Sequence, residues 1–290
     1  MQAMRAASGR LHGVLRALRK ICAEPLGLLG LTLVTLLSAG ALFAGWIAPY
    51  DPFELNLPER LQPPSGAHLL GTDQLGRDLF SRVLFGGRVA LKVALTATGA
   101  ALLIGAALGM LAGFGPRWLD ALILLLFDTM RSFPTVMFAL ATVAVVGPSL
   151  GSVIFVIIAT SIPSYGRVAR TQTLALRANE FILAERVMGA SHARILSVHI
   201  LPNVAGPLLI LASMDIPAVV ALEAGLSFLG MGVRPPTPSW GSILNDGYTL
   251  IRNTPWPIIA GSIPLVLITL GFTFLGETLR DLFDPKLSRR

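Results

Sequence analysis

"LGLLGLTLVTLLSAGALFAGWIA" occupies residues 26–48, and no charged side chain interrupts it. At about 1.5 Å of rise per residue these positions make a helix of about 34 Å, enough to cross the hydrocarbon core of a bilayer. The stretch follows Arg5, Arg10, Arg16, Arg19 and Lys20, a start it shares with secretory signals. It is too long for a signal core, however, and no small-residue cleavage pattern precedes Pro49. We read it as a retained span, with residues 1–25 as a cytoplasmic N-terminal segment.

The rest of the chain has the same character. Of 290 residues, 53% are hydrophobic and 13% charged, and the mean hydropathy is +0.70; soluble domains carry about 25% charged residues. The composition is that of an all-α integral membrane protein. A net charge of +7 suggests nucleic acid, but no aromatic-interleaved basic patch accompanies it, so no nucleic-acid partner is expected. The single cysteine, Cys22, rules out an internal disulfide and leaves the redox compartment undetermined.

Working outward, residues 49–88 turn rich in Pro, Asp, Glu and Arg and read as an external segment. Val93 to Phe114 is the second span, returning to a short loop at Arg117. The chain is then uncharged from Ser132 to Tyr165, too long for one helix, and "GPSLG" at 147–151 divides it in two. The earlier helix must reach back to about Leu119, which draws Asp120, Asp128 and Arg131 toward the inner face. A charged stretch, 166–203, is read as a cytoplasmic loop. Val204 to Phe228 is the fifth span, "LGMGVRPPTPSWGSILNDG" at 229–247 a second outer loop, Ile258 to Gly276 the sixth span, and 279–290 a tail. Six transmembrane helices put both termini in the cytoplasm. The basic residues agree: Arg60, Arg77, Arg82, Arg88, Lys92, Arg234 and Arg252 fall outside, and most of the 23 fall inside.

The 166–203 stretch is long for a connection between spans. Ile182, Val187, Ala190, Leu196 and Ile200 can share faces, which suggests two short helices separated near Gly189. Their surface serves either a soluble partner or the lipid headgroups; patterning alone leaves both. Asp215 and Glu223 sit inside the fifth span, where an acid is costly and faces protein or water. Eight residues apart, they project about 80° from each other. They either wall a polar route or bond to another helix. Arg77, Asp78, Arg82 and Arg88, spaced mostly at helical intervals, suggest an ion-paired helix face in a packed cap, with a docking surface or a cover over a pore mouth as the functional alternatives.

Catalytic chemistry is missing from the sequence. The lysines are Lys20, Lys92 and Lys286, none follows a glycine, and so there is no phosphate-binding Gly-x-x-x-x-Gly-Lys loop. His12, His68, His192 and His199 lack metal-ligand spacing, and Asp215 with Ser227 supports no hydrolase arrangement. A secondary transporter is the rival class, but the chain lacks the repeated halves such proteins show.

Residues 183–202, "LAERVMGASHARILSVHILP", resemble the cytoplasmic coupling motif of permease subunits in binding-protein-dependent ABC importers. That motif reads Glu-Ala-Ala, three residues, Gly, nine residues, Ile, one residue, Leu-Pro. Ala184, Gly189, Leu201 and Pro202 match in register. Leu183 stands in place of Glu, Glu185 in place of the second Ala, and His199 in place of Ile. "HLLGTDQLGRDLFSRVLFGGR" (68–88), "LSFLGMGVRPPTPSWGSIL" (226–244) and "LRDLFDPKL" (279–287) are similar to signatures of the second permease subunit of dipeptide and oligopeptide importers.

The resemblance implies a type I importer permease, a MetI-like core of five helices plus an N-terminal helix, with a core domain at 89–278. It implies a non-catalytic subunit of a bacterial inner-membrane transporter. Its partners would be a second, homologous permease in a heterodimer, two ATP-binding subunits that hold ATP and Mg, an extracytoplasmic substrate-binding protein, and membrane lipid. No cofactor is expected on this chain. Glu180, Ala184, Glu185, Arg186, Gly189, Ala190, Ser191, Leu201 and Pro202 would couple to the ATPases, with Gly189 making a tight turn or a close helix approach and Pro202 ending the cytoplasmic element. Asp215 and Glu223 would be candidates for the substrate path, and Arg77, Asp78 and Arg82 for docking the binding protein. The expected cargo is a di- or oligopeptide; nickel or a metallophore, an opine, or glutathione are the alternatives on the same architecture.

Overall fold

The computed structural model describes residues 21–283. Most of the basic N-terminal segment, and the tail from residue 284, lie outside the described residues. Within them the chain is helical: α1 Pro25–Leu42, α2 Ala44–Ile47, α3 Leu79–Phe114, α4 Arg117–Ser132, α5 Thr135–Val146, α6 Leu150–Arg177, α7 Glu180–Val187, α8 His192–Phe228, α9 Trp240–Thr249 and α10 Trp256–Phe283. Five of these (α1, α3, α6, α8, α10) are long and apolar enough to cross a membrane, and α4 with α5 makes a sixth if the pair is one span.

Local chemistry sets the helix ends. Pro25 starts α1 at a position where its missing N–H costs nothing. Asp78 caps α3, its Oδ2 accepting from the Ser81 amide at 2.7 Å, and Ser149 and Ser239 cap α6 and α9 in the same way. Between α4 and α5 the axis bends by 86°. Pro134 is the cause: Phe133, the residue before it, is driven out of the helical region to ψ 129°.

α3 and α6 lie side by side through the centre. Gly105, Gly109 and Gly113 form a stripe on α3, and a β-carbon on Gly109 would sit 2.2 Å from the Gly166 carbonyl oxygen. Backbones approach this closely only because those side chains are absent, the packing that small residues give to membrane helices. At one end of the bundle Phe127, Tyr165, Ile182, Ile195, Ile200 and Val204 close a core; nearer the other, Val93, Ala97, Val156, Ile157 and Leu226 do so. α1 packs on α10 and α3. Its C-terminus is held by Arg88 of α3, which donates to the carbonyls of Ala41 (2.8 Å) and Leu42 (3.1 Å).

Four expectations need correction. The second span starts at Leu79 rather than Val93, because Arg82 and Arg88 find partners inside the protein and continue the helix. The stretch 166–203 is not mainly a loop: α6 runs to Arg177, and α8 already begins at His192. Pro202 does not end an element. A π-helical stretch, Ile195–Ile200, precedes it, and the widened turn gives the proline ring room against the carbonyl four residues back. Finally, residues 229–247 are not all loop, since α9 begins at Trp240 and buries Trp240, Ile243 and Gly247.

Candidate functional site

α7 and the turn after it project from the end of the bundle where α3 and α6 finish. Ile182 faces inward and is fully buried, while Val187 and Met188 are 89% and 73% exposed. Phe181 and Leu183 are also exposed, so the free face of this short helix is apolar. Such a patch on a projecting element marks a surface that something covers.

The turn is built from hydrogen bonds around one glycine. Gly189 has φ +81°, a region that side-chain-bearing residues avoid. Its amide donates to the Arg186 carbonyl (3.0 Å), and the Ala190 amide to that of Glu185 (3.0 Å). Together these two bonds close a Schellman motif at the end of α7. Ser191 then caps α8 by accepting from the Arg194 amide at 3.3 Å. A β-carbon on Gly189 would meet no atom within 4 Å. Within this chain the glycine therefore serves the turn.

Charged and aromatic side chains fasten the projection. Glu185 pairs with His199 of α8 at 3.3 Å. The Arg186 guanidinium lies over the Phe114 ring, 4.7 Å from its centroid, and His192 meets the same ring edge-on at 5.3 Å. Arg177 donates to the carbonyls of Gly113, Phe114 and Gly115 at 3.3–3.4 Å, capping the C-terminus of α3. Nearby, Asp120 pairs with Arg170 (2.7 Å) and Asp128 with Arg167, tying α4 to α6. Of the expected coupling residues, Glu180, Ala184, Gly189 and Ser191 are exposed with α7 and its turn, whereas Leu201 and Pro202 lie further along α8. Sequence reasoning did not single out Phe114 or Arg177: they gain their roles only when the end of α3 meets α7.

The two acids of α8 differ. Glu223 is fully buried; its Oε1 accepts from Ser227 Oγ at 2.7 Å, and its Oε2 has no partner among the described residues. It lines no open route here. Asp215 is partly exposed and faces the buried hydroxyl of Tyr165 on α6.

At the opposite end of the bundle, residues 48–78 fold over the start of α3. Arg77, Asp78 and Arg82 are 6%, 2% and 3% exposed. Arg77 pairs with Asp73 at 2.6 Å; Arg82 lies 3.4 Å from the same carboxylate, and Asp246 of α9 is 3.8–3.9 Å from both arginines. Asp78 holds Ser81 and His68. These charges pair mainly with one another and build a packed cap, the ion-paired face expected from their spacing. Arg88 stands apart from this network on the carbonyls of α1. Burial lowers the affinity of His68 for a proton, but its hydrogen bonds to Asp78 and Glu59 outweigh this and leave its pKa above the ordinary value. Burial of Asp246 raises its pKa against the opposing pull of Gln74, Arg82 and Arg77. Among the described residues no group of His, Cys, Asp and Glu has the arrangement of a metal site.

Residues 105–289 match the family described as the inner membrane component of binding-protein-dependent transport systems. The chain belongs to that family. Residues 15–64 match the N-terminal transmembrane domain of oligopeptide transport permease C. Among the family's members, the dipeptide transport system permease protein DppC of Alkalihalophilus pseudofirmus is 37% identical over 93% of this chain and 89% of its own. The di/tripeptide transport system permease protein DppC of Pseudomonas aeruginosa is 38% identical over 89% and 87%. The glutathione transport system permease protein GsiD of Pectobacterium atrosepticum is 39% identical over 88% and 85%. A solved chain of the MetNI methionine ABC transporter, from an inward-facing crystal form, superposes with a TM-score of 0.57 at 18% identity, covering 70% of this chain and 97% of its own. That likeness shows the fold, a MetI-type helical core. Family membership removes the secondary transporter as a rival.

Proposed function

We propose that this permease forms half of the pore of an ATP-driven importer of di- or oligopeptides, and that α7 and the Gly189–Ser191 turn seat in a cleft of a separate ATPase subunit. One observation carries the coupling assignment. The most exposed apolar side chains of the segment, Val187 and Met188, stand on a helix whose opposite side is anchored by Ile182, Glu185 and Arg186. A surface that is both exposed and firmly tied to the spanning helices can receive a displacement and pass it on. The names of the relatives support the peptide cargo; a tripeptide thiol, glutathione, is the second reading, because one similar relative carries that name.

In this reading both termini and α7 lie in the cytoplasm, and the cap of residues 48–78 lies outside. A second, homologous permease completes the pore, two ATPase subunits hold ATP and Mg, and a binding protein delivers cargo. This chain supplies no catalytic group and no cofactor site. Asp215 is the acid placed to meet cargo, and Glu223 is structural.

The test is uptake of labelled dipeptide, tripeptide, glutathione and nickel by cells lacking the gene, complemented with the chain. Peptide uptake that returns with the chain supports the assignment. Unchanged peptide uptake, with glutathione or nickel uptake following the gene, would replace the cargo and leave the architecture.

A further inference from the structure

Where α3 ends, a cavity of about 380 Å³ opens between it, α4, the end of α6, α7 and α8. Arg177, Arg186 and His192 line it, and no aspartate or glutamate does. Neither arginine has a carboxylate within ion-pair distance among the described residues. Arg177 spends one nitrogen on the carbonyls that end α3. Arg186 has no acid beside it among the described residues: it stacks on Phe114, and its Nε is buried without a hydrogen-bond partner there. The one nearby acid of α7 that could answer it, Glu185, is turned to His199. Two guanidinium groups beside a single phenyl ring repel each other, and partly buried charge without a partner is costly. The cavity is basic and has no acid in its lining.

Its remaining walls say what kind of occupant it suits. Leu111, Leu119 and Leu196 join Phe114 in lining it, so the occupant has an apolar part next to its charge. The depth agrees: α3, an apolar span, finishes here, and Trp118 in the first turn of α4 is 68% exposed, as indole rings are at headgroup level. Basic pockets between spanning helices at this depth suit phospholipid headgroups, and a guanidinium suits a phosphate better than an ammonium does.

We infer that this cavity binds the phosphate of an anionic phospholipid, held by Arg186, Arg177 and His192 with its glycerol and first chain carbons against Leu119 and Leu196. The lipid then ties the base of α7 to the end of α3, so the rigidity of the coupling segment depends on membrane composition. The site needs no assumption about cargo or about which side of the membrane α7 faces.

The test uses the full chain, purified without its transporter partners, in nanodiscs of phosphatidylcholine with or without phosphatidylglycerol. Lipid retained after partial delipidation is counted by native mass spectrometry, alongside the unfolding temperature. Wild type should retain phosphatidylglycerol over phosphatidylcholine and unfold at a higher temperature with it. Arg186→Gln should lower that preference by about fivefold, from the loss of one interfacial basic group, whereas Arg252→Gln, far along the chain and outside the cavity, should not. If Arg186→Gln fails to insert, His192→Gln is read in the same way. Equal retention of the two lipids by wild type overturns the inference, as does an unchanged preference in the variants. Inorganic phosphate added to phosphatidylcholine discs is the separate arm: stabilisation equal to that from phosphatidylglycerol would assign the site to free phosphate and overturn the lipid.

Discussion

Glu185 Oε1 and His199 Nε2 meet at 3.3 Å, each side chain about three-quarters buried. Both residues are departures from the coupling motif, which has alanine at the first position and isoleucine at the second. The two departures answer each other: an acid enters α7 where its partner enters α8. Glu185→Ala alone should leave His199 without its partner, and His199→Ile alone should strand the carboxylate. The double substitution puts the residues of the general coupling motif at both positions. A cycle of unfolding temperatures should therefore be non-additive by about 0.5 kcal/mol, the scale for a partly exposed pair, with uptake by the double variant above that of Glu185→Ala. Additive effects would show that the contact carries no energy.

Gly189 occupies the left-handed region at φ +81° in open space, so any substitution acts through the backbone and not through a clash. Gly189→Ala should cost about 1–2 kcal/mol locally, and Gly189→Asn less, since asparagine tolerates this conformation. Gly189→Asp should leave the chain inserted and cut transport. Membrane abundance by immunoblot, measured with peptide uptake, checks this; a Gly189→Asp strain with wild-type uptake removes the coupling role.

Gly109 presents the opposite case. Its β-carbon would meet backbone, the Gly166 carbonyl, and backbone cannot rotate away. Gly109→Val should cost about 3 kcal/mol or more and sharply reduce the amount of folded protein. Gly99→Ala, on the same helix with nothing within 4 Å, should be neutral or slightly stabilising. Fluorescence-detected size-exclusion profiles of the two variants separate the outcomes, and similar profiles would refute the close approach of α3 and α6.

His68 gives a pH dependence. Its folded pKa lies above the ordinary 6.5 because Asp78 and Glu59 outweigh burial. The protonated form is thus favoured by folding. Its contribution is complete below the unfolded value and is lost as pH rises through the raised one. Amide exchange in residues 48–78 should be slower at about pH 5 than at about pH 8, once corrected for intrinsic rates, and His68→Gln should flatten the difference. A wild-type segment with equal protection at both values would contradict the ion pair.

Much of this fold was legible from hydropathy, because a spanning helix needs only a long uncharged run. Where reading stopped short, the cause was charge whose partner lies far along the chain. Arg82 and Arg88 made the first turns of α3 look external; the structure answers them with Asp73, Asp246 and the carbonyls that end α1. α9 was hidden by the prolines before it, although the Ser239–Ser242 capping box was a usable signal. The turn at Gly189 and the exposed α7 were foreseen in kind. The Phe114 platform was not, since nothing local to residue 114 distinguishes a span-ending phenylalanine from a ring that two arginines share.

The contact of Gly109 with Gly166 has a mechanical consequence. It is repeated on either side, where Gly105 brings the α3 backbone against Ile162 and Gly113 brings it against Arg170, and Arg177 then ties the end of α6 to the last carbonyls of α3. The two helices are joined along their length like the sides of a zip. Movement imposed at the Arg177 end, next to α7, is therefore carried away from it by both helices together, as one stiff rod without a hinge between them.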